Sequence, residues 1–355
     1  MKFATLLGYS LVGACFALFP RPSLATVTAP SDRSPVQIEF AQGMPSSLTA
    51  QADTYNQLLD AGYDALNTDD FETALQSFDQ AIQLIPEEEA AWTGKGLSLY
   101  MMAQYEDAIA IFNRALSLNP DSALAWLWLA NTLDTLGRTA SALEAYEQAI
   151  AISPESFANY YHRGIALMNA EQYAAATTDF QTAVTMAPND AWSWVKLGQS
   201  YLGTASYDNA VAAFEQAIAL DSELGQAWHG RGIALFEMEQ YPLALESFNR
   251  TVVLMPDGPW GWLYQGHTLS KLEQYEAALV AYEEAIAVHS EWPIAWYRKA
   301  VMLALLAEYG AALEAVEEAL RLEPDFTLAQ ELQAELQKEL SQLPPTITAS
   351  TQLSF

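Results

Sequence analysis

Hydrophobic residues recur along most of this chain at three- and four-residue spacing, as in Ala108, Ile109, Phe112 and Leu116. That is the spacing of a helix with one buried face. From Tyr55 to Phe326 the pattern repeats every 34 residues without insertion or deletion, in eight copies: 55–88, 89–122, 123–156, 157–190, 191–224, 225–258, 259–292 and 293–326. Alanine fills the twentieth position of every copy, from Ala74 to Ala312, and glycine fills the eighth in six, among them Gly62, Gly96 and Gly266. A mid-helix glycine costs roughly 1 kcal/mol against alanine, so a cause is needed; close approach of two helix backbones is the expected one. Bulk sits elsewhere in the frame, as Trp92, Trp126, Trp194, Trp228, Trp262 and Trp296 at the fourth position and Phe78, Phe112, Phe180, Phe214 and Phe248 at the twenty-fourth. Proline closes most copies (Pro86, Pro120, Pro154, Pro188, Pro256, Pro324), where it stops a helix. Each copy therefore predicts helix, turn, helix, turn.

A fixed period in this range marks a stacked repeat architecture in which each unit packs only on its neighbours. The offsets of Trp, Leu-Gly, Tyr, Ala, Phe, Ala and Pro resemble those of the tetratricopeptide repeat (TPR) family over residues 55–326. Departures are local: Ser222 and Ser290 stand for the closing proline, Thr251 for a packing alanine and Val316 for an aromatic. The resemblance implies an all-α, right-handed α-solenoid of eight helix-turn-helix units, first helices lining the concave side and second helices the convex one. A further amphipathic helix over 327–343, with Leu328, Leu332, Leu336 and Leu340 every four residues, is expected to cap the last unit before a disordered tail at 344–355.

At the other end, Lys2, an apolar run from Phe3 to Phe19 and Ser23-Leu24-Ala25 read as an export signal over 1–25. Two alternatives stay open: an uncleaved N-terminal anchor, and lipidation of Cys15, the single cysteine, because Leu11-Val12-Gly13-Ala14-Cys15 resembles a bacterial lipobox. The expected destination is periplasmic or otherwise extracytoplasmic. Residues 26–54, rich in Ser, Pro, Thr and Gln, are expected to form a flexible leader.

The formal charge of −29, or −31 once Lys2 and Arg21 leave with a cleaved signal, excludes nucleic acid as a partner, since phosphate binding rests on Lys and Arg. Its distribution is uneven. The first 14 positions of the eight copies hold 5 acids and 7 bases, whereas the remaining 20 positions hold 33 acids and 4 bases. With TPR geometry this puts the acid on the convex side and leaves a near-neutral groove.

In the family, ligands contact the second, fifth, ninth, twelfth and thirteenth positions of the first helix. The resemblance thus implies a concave binding face that includes Tyr63, Tyr100, Leu127, Tyr161, Ile165, Trp192, Gln199, His229, Phe236, Trp260, His267 and Tyr297. Aromatic anchors among amides suit an extended or helical peptide. Bases at these positions are too few to clamp a carboxylate, Lys271 being the clearest, so the expected ligand is a largely uncharged, apolar or aromatic segment of a partner protein. Candidates for chemistry are sparse: of His162, His229, His267 and His289, the pair His229 and His267 would face the groove from adjacent repeats as a weak metal or pH-sensing site, but neither has a carboxylate at i, i+4 spacing, and no phosphate-binding glycine loop occurs. The expectation is an exported, non-enzymatic scaffold without cofactor or metal, active in assembly of an envelope complex; the alternative is a cell-wall glycan-binding protein.

Overall fold

The computed structural model describes residues 46–342. The expected export signal, Cys15, residues 26–45 of the expected leader and the tail lie outside those residues. Among the described residues 17 helices follow one another and no strand occurs. They fall into two compact units, divided between Asn189 and Asp190.

The first unit contains α1 (Ser46–Asn67), α2 (Phe71–Leu84), α3 (Glu89–Met101), α4 (Tyr105–Leu118), α5 (Ala123–Thr135), α6 (Thr139–Ile152), α7 (Phe157–Asn169) and α8 (Tyr173–Met186). The second contains α9 (Ala191–Gly203), α10 (Tyr207–Leu220), α11 (Gly225–Glu237), α12 (Tyr241–Leu254), α13 (Pro259–Lys271), α14 (Tyr275–Val288), α15 (Pro293–Leu305), α16 (Tyr309–Leu322) and α17 (Thr327–Gln342). Within each unit an odd-numbered helix packs on the even-numbered helix that follows, and the pair packs on the next.

Three local devices write the 34-residue frame into the backbone. First, the turn inside each pair carries a left-handed residue at the fifteenth position: Asp69, Ala103, Gly137, Glu171, Ala205, Glu239, Glu273 and Ala307. The left-handed residue closes a Schellman-type cap; Ala103 N–H donates to Tyr100 O and Gln104 N–H to Leu99 O, both at 2.9 Å. Only Gly137 adopts this conformation without the steric cost of a Cβ, about 1–2 kcal/mol elsewhere. Second, the fourth-position tryptophan ties the turn between pairs. Trp92 Nε1 donates to Pro86 O at 2.9 Å, Trp126 Nε1 to Pro120 O at 2.8 Å, and Trp228 and Trp296 repeat the bond to Ser222 O and Ser290 O. The serines that replace proline therefore keep the tie, because the acceptor is a backbone carbonyl.

The third device corrects the expected cause of the glycines. A Cβ on Gly198 would lie 2.7 Å from the Phe214 ring, and those on Gly62, Gly96, Gly164 and Gly232 would press equally on Phe78, Phe112, Phe180 and Phe248. Each glycine makes room for the twenty-fourth-position ring of its own pair rather than for a second backbone. Gly94 and Gly230 close on Phe78 and Phe214 from the following pair, so these two buried rings are gripped from both sides.

Both ends of the described chain extend the frame. Residues 46–54, expected in the leader, are the first turns of α1 instead. There Ala52 and Tyr55 are buried, and Gln51 Nε2 donates to Leu84 O at 2.8 Å, so these turns cover the end of α2. At the other end α17 begins one period after α15; Gln330 takes the tryptophan's place, with Nε2 donating to Pro324 O at 2.8 Å. Ala329, Leu332 and Leu336 are buried in the last apolar cluster, while Gln330, Glu331, Gln337 and Lys338 face solvent. A polar outer face of this kind ends a stack.

Candidate functional site

The first helices carry every expected binding residue, and packing sorts them sharply. Successive first helices touch one another within each unit, α3 against α5 and α9 against α11 for example. Side chains at the fifth, ninth and twelfth positions therefore fall between neighbours. Tyr100, Leu127, Gln199, His229, Phe236, His267 and Tyr297 are buried. In this structure these seven pack in the core of their units, which leaves little of their surface for a ligand. Tyr297 is 0 % exposed and packs on Phe326 at 5.1 Å between ring centroids, and Phe236 leans on His267 at 4.8 Å. Tyr100 meets Trp128 at 5.4 Å. Gln199 accepts a hydrogen bond from Lys196 Nζ at 3.2 Å.

What remains open is narrower. The second position of every first helix stays partly or fully exposed (Leu124 and Ala158 in one unit, Trp192, Trp260 and Ile294 in the other), as does the thirteenth (Met101 and Asn169, then Glu237 and Lys271). Trp192 is the most accessible of the expected residues, at 38 %. Trp260 is half-buried and stands edge-on to Trp292 at 4.3 Å. Helix α7 is the exception to the burial rule: Tyr161, Ile165 and Met168 all keep part of their surface, with Tyr161 stacked on Phe157 at 5.4 Å. Tyr63 on α1 is also half-buried, with its ring edge-on to Phe78 at 5.1 Å.

The electrostatics of this layer differ from its sequence sum. Four of its seven bases sit at the seventh position and reach toward second helices. Lys95 Nζ lies 2.7 Å from Asp79, Arg163 binds Asp179 through two 2.7 Å bonds, Arg231 Nε lies 3.1 Å from Glu215, and Lys299 Nζ lies 2.9 Å from Glu283. Arg298 is 1 % exposed and stands over the Tyr297 ring. Those charges never reach the open rows. Only Lys196 and Lys271 are left against Asp60, Asp64, Glu89, Asp134 and Glu237, so the layer is mildly acidic rather than near-neutral. Burial pushes Lys196 down to about 8, and burial raises the Glu237 carboxyl, which the neighbouring Lys271 partly offsets.

Burial also pushes His162 and His229 down to about 4, which keeps both imidazoles neutral near pH 7. Their surroundings are rings: His229 lies edge-on to Phe248 and Tyr264. Among the described residues no three His, Cys, Asp or Glu side chains gather as metal ligands would, and no helix is long and apolar enough to cross a membrane. A cleft of about 630 Å³ opens on the second-helix side, lined by Leu279, Trp296, Lys299 and the carboxylates of Glu283, Glu308 and Glu317.

The repeat frame, its left-handed turns and its tryptophan ties meet the sequence criteria of one family. Tetratricopeptide repeat models match residues 95–157, 195–259 and 263–336, and a second such model matches 157–190, together more than half of the chain. The chain belongs to the tetratricopeptide repeat family. No curated protein sequence matches it. Among solved structures, the C-terminal part of a TPR repeat-containing protein from Cytophaga hutchinsonii superposes with a TM-score of 0.57 at 18% identity, covering 68% of this chain and 98% of that one. The Cut9–Hcn1 hetero-tetramer of the APC/C superposes with a TM-score of 0.52 at 16% identity over 82% of this chain. This chain spans 57% of the length of the one it matches there. At these identities the likeness is one of fold.

Family fold and open rows fit protein or peptide partners: stacked helices display a long surface without enclosing a reaction chamber. Sequence reading missed the seventh-position ion pairs, although the signal was legible: bases at that position stand 16 residues after an acid in Lys95/Asp79, Arg231/Glu215 and Lys299/Glu283.

Proposed function

We propose that this TPR protein is an exported, non-enzymatic scaffold whose first-helix layer captures an extended, apolar or aromatic segment of another envelope protein during assembly of a larger complex. The full run of eight TPR units, including the pair α1–α2 that precedes the matched segments, belongs to this reading and is supported by the unbroken 34-residue frame. Export is supported by the N-terminal pattern of Lys2, apolar run and Ser23-Leu24-Ala25. Intact mass of the native protein tests it: a chain starting near residue 26 is expected. An acylated Cys15 would convert the reading to a lipoprotein, and retention of Met1 with no membrane association would overturn export.

The observation that carries the binding reading is the exposed Trp192, with the partly exposed Trp260 and Ile294 at the same position of later helices in the second unit. Exposed aromatics among amides and a few charges are the composition of binding hot spots. Residual acid at Asp134 and Glu237 favours a segment with neutral or basic flanks over an acidic one. Trp192→Ala and Trp260→Ala, both in the second unit, should each weaken capture of the native partner about ten-fold, the effect of losing one hot-spot aromatic. Val253→Ala on the second-helix side should leave capture unchanged. Undiminished capture by both first-helix variants, with helicity intact, would remove this layer from the account.

A further inference from the structure

The junctions between helix pairs are of two kinds, and the kinds alternate. In the second unit, α10 meets α11 through Arg231 and Glu215 (3.1 Å), α12 meets α13 through Gln265 Nε2 and Asn249 Oδ1 (2.8 Å), and α14 meets α15 through Lys299 and Glu283 (2.9 Å). In each case the seventh position of one pair reaches the twenty-fifth position of the pair before it. The first two junctions of the first unit follow the same order. The α2–α3 junction carries Lys95 and Asp79 at 2.7 Å, whereas α4–α5 puts Leu129 and Asn113 at the corresponding places. At α6–α7 Arg163 turns to Asp179 of its own pair, yet Glu147 of the preceding pair still helps to hold its guanidinium charged.

The sixth position completes the alternation. At the uncharged junctions it is a large buried ring: Trp128, against Tyr100, and Tyr264, stacked on Phe248 at 5.4 Å with an interplanar angle of 20°. At two of the charged junctions it is glycine, Gly94 and Gly230, which leaves the base beside it as the junction's long side chain. The basic partners are mostly shielded but the acids are about half exposed (Asp79 42%, Glu215 51%, Glu283 49%), within reach of bulk salt.

We propose that the stack is jointed: ion-paired junctions respond to ionic strength, aromatic and amide junctions do not, and salt therefore loosens α2–α3, α10–α11 and α14–α15 while α4–α5 and α12–α13 hold. The blocks that stay closed are α3–α6 in one unit and α11–α14 in the other. The physical basis is screening. Ion pairs at this exposure weaken as the Debye length falls to about 3 Å near 1 M salt, whereas ring contacts do not. Such a device would let a scaffold flex at defined joints while its two-pair blocks hold their shape.

Hydrogen exchange on the full chain at about 20 mM and 1 M NaCl tests this. Salt also relieves repulsion among the many acids throughout the chain, so the informative quantity is the difference between junctions. Exchange across α2–α3, α10–α11 and α14–α15 should quicken about two- to five-fold relative to α4–α5 and α12–α13. Glu283→Gln should abolish the salt response at α14–α15 alone. The pair Gln265→Lys with Asn249→Glu should create one at α12–α13. A uniform salt response at all junctions, or variants that leave the pattern untouched, would overturn the proposal; the wild-type comparison decides it even where a variant fails to fold.

Discussion

Phe214 shows how a single residue makes the repeat necessary. Its ring is buried between Gly198 of its own pair and Gly230 of the next, with an added Cβ at 2.7 Å on one side and 2.2 Å on the other. A methyl group at Gly230 has nowhere to go unless the ring and the helix behind it shift. Gly230→Ala should therefore destabilise the protein by about 1–3 kcal/mol despite the better helix propensity of alanine, the usual cost of overpacking a filled core. Urea unfolding followed by circular dichroism measures it, and an unchanged midpoint would show that the ring does not define the spacing. The identity of this contact was not legible in the sequence. A recurring glycine announces close approach, but only coordinates tell whether a backbone or a ring approaches.

The helices themselves were largely readable, because their signals are local. Apolar spacing, closing prolines and eighth-position glycines place α3 to α16 in register, and the observed first helices start at residues 89, 123, 157, 191, 225, 259 and 293, one period apart. The leader was misplaced where local signals are weak: residues 46–54 carry Ser, Thr and Gln, which suggest a loop, yet Ala52 is buried and Gln51 donates to Leu84 O at the end of α2. Tertiary contact, not intrinsic preference, makes those turns helical. The site was half-legible for a related reason. The frame names five ligand-facing positions per helix, but it does not say how closely the next helix lies. Where first helices touch, Gln199, His267 and Tyr297 disappear into the core and the second and thirteenth positions remain.

At the scale of the molecule, the proposed docking surface rests on where the charge lies. Counting charges by helix gives a first-helix half with slightly more bases than acids. The structure reassigns four of the bases to second-helix carboxylates and buries a fifth. Second helices and the turns beside them carry most of the acid, 33 of the 38 acidic residues in the eight copies, and second helices also carry exposed aliphatic side chains such as Leu243, Val253 and Val280. The open first-helix rows keep Trp192, Trp260 and the α7 side chains with far less charge around them. Desolvating carboxylates is costly, whereas burying half-exposed rings is favourable, which supports the proposed docking of an uncharged segment on the first helices. Site-specific photo-crosslinking in living cells tests this most directly, with a benzophenone amino acid placed at residue 192 or at residue 253. The account predicts a discrete partner adduct from residue 192 and none from residue 253; an adduct from residue 253 alone would contradict it.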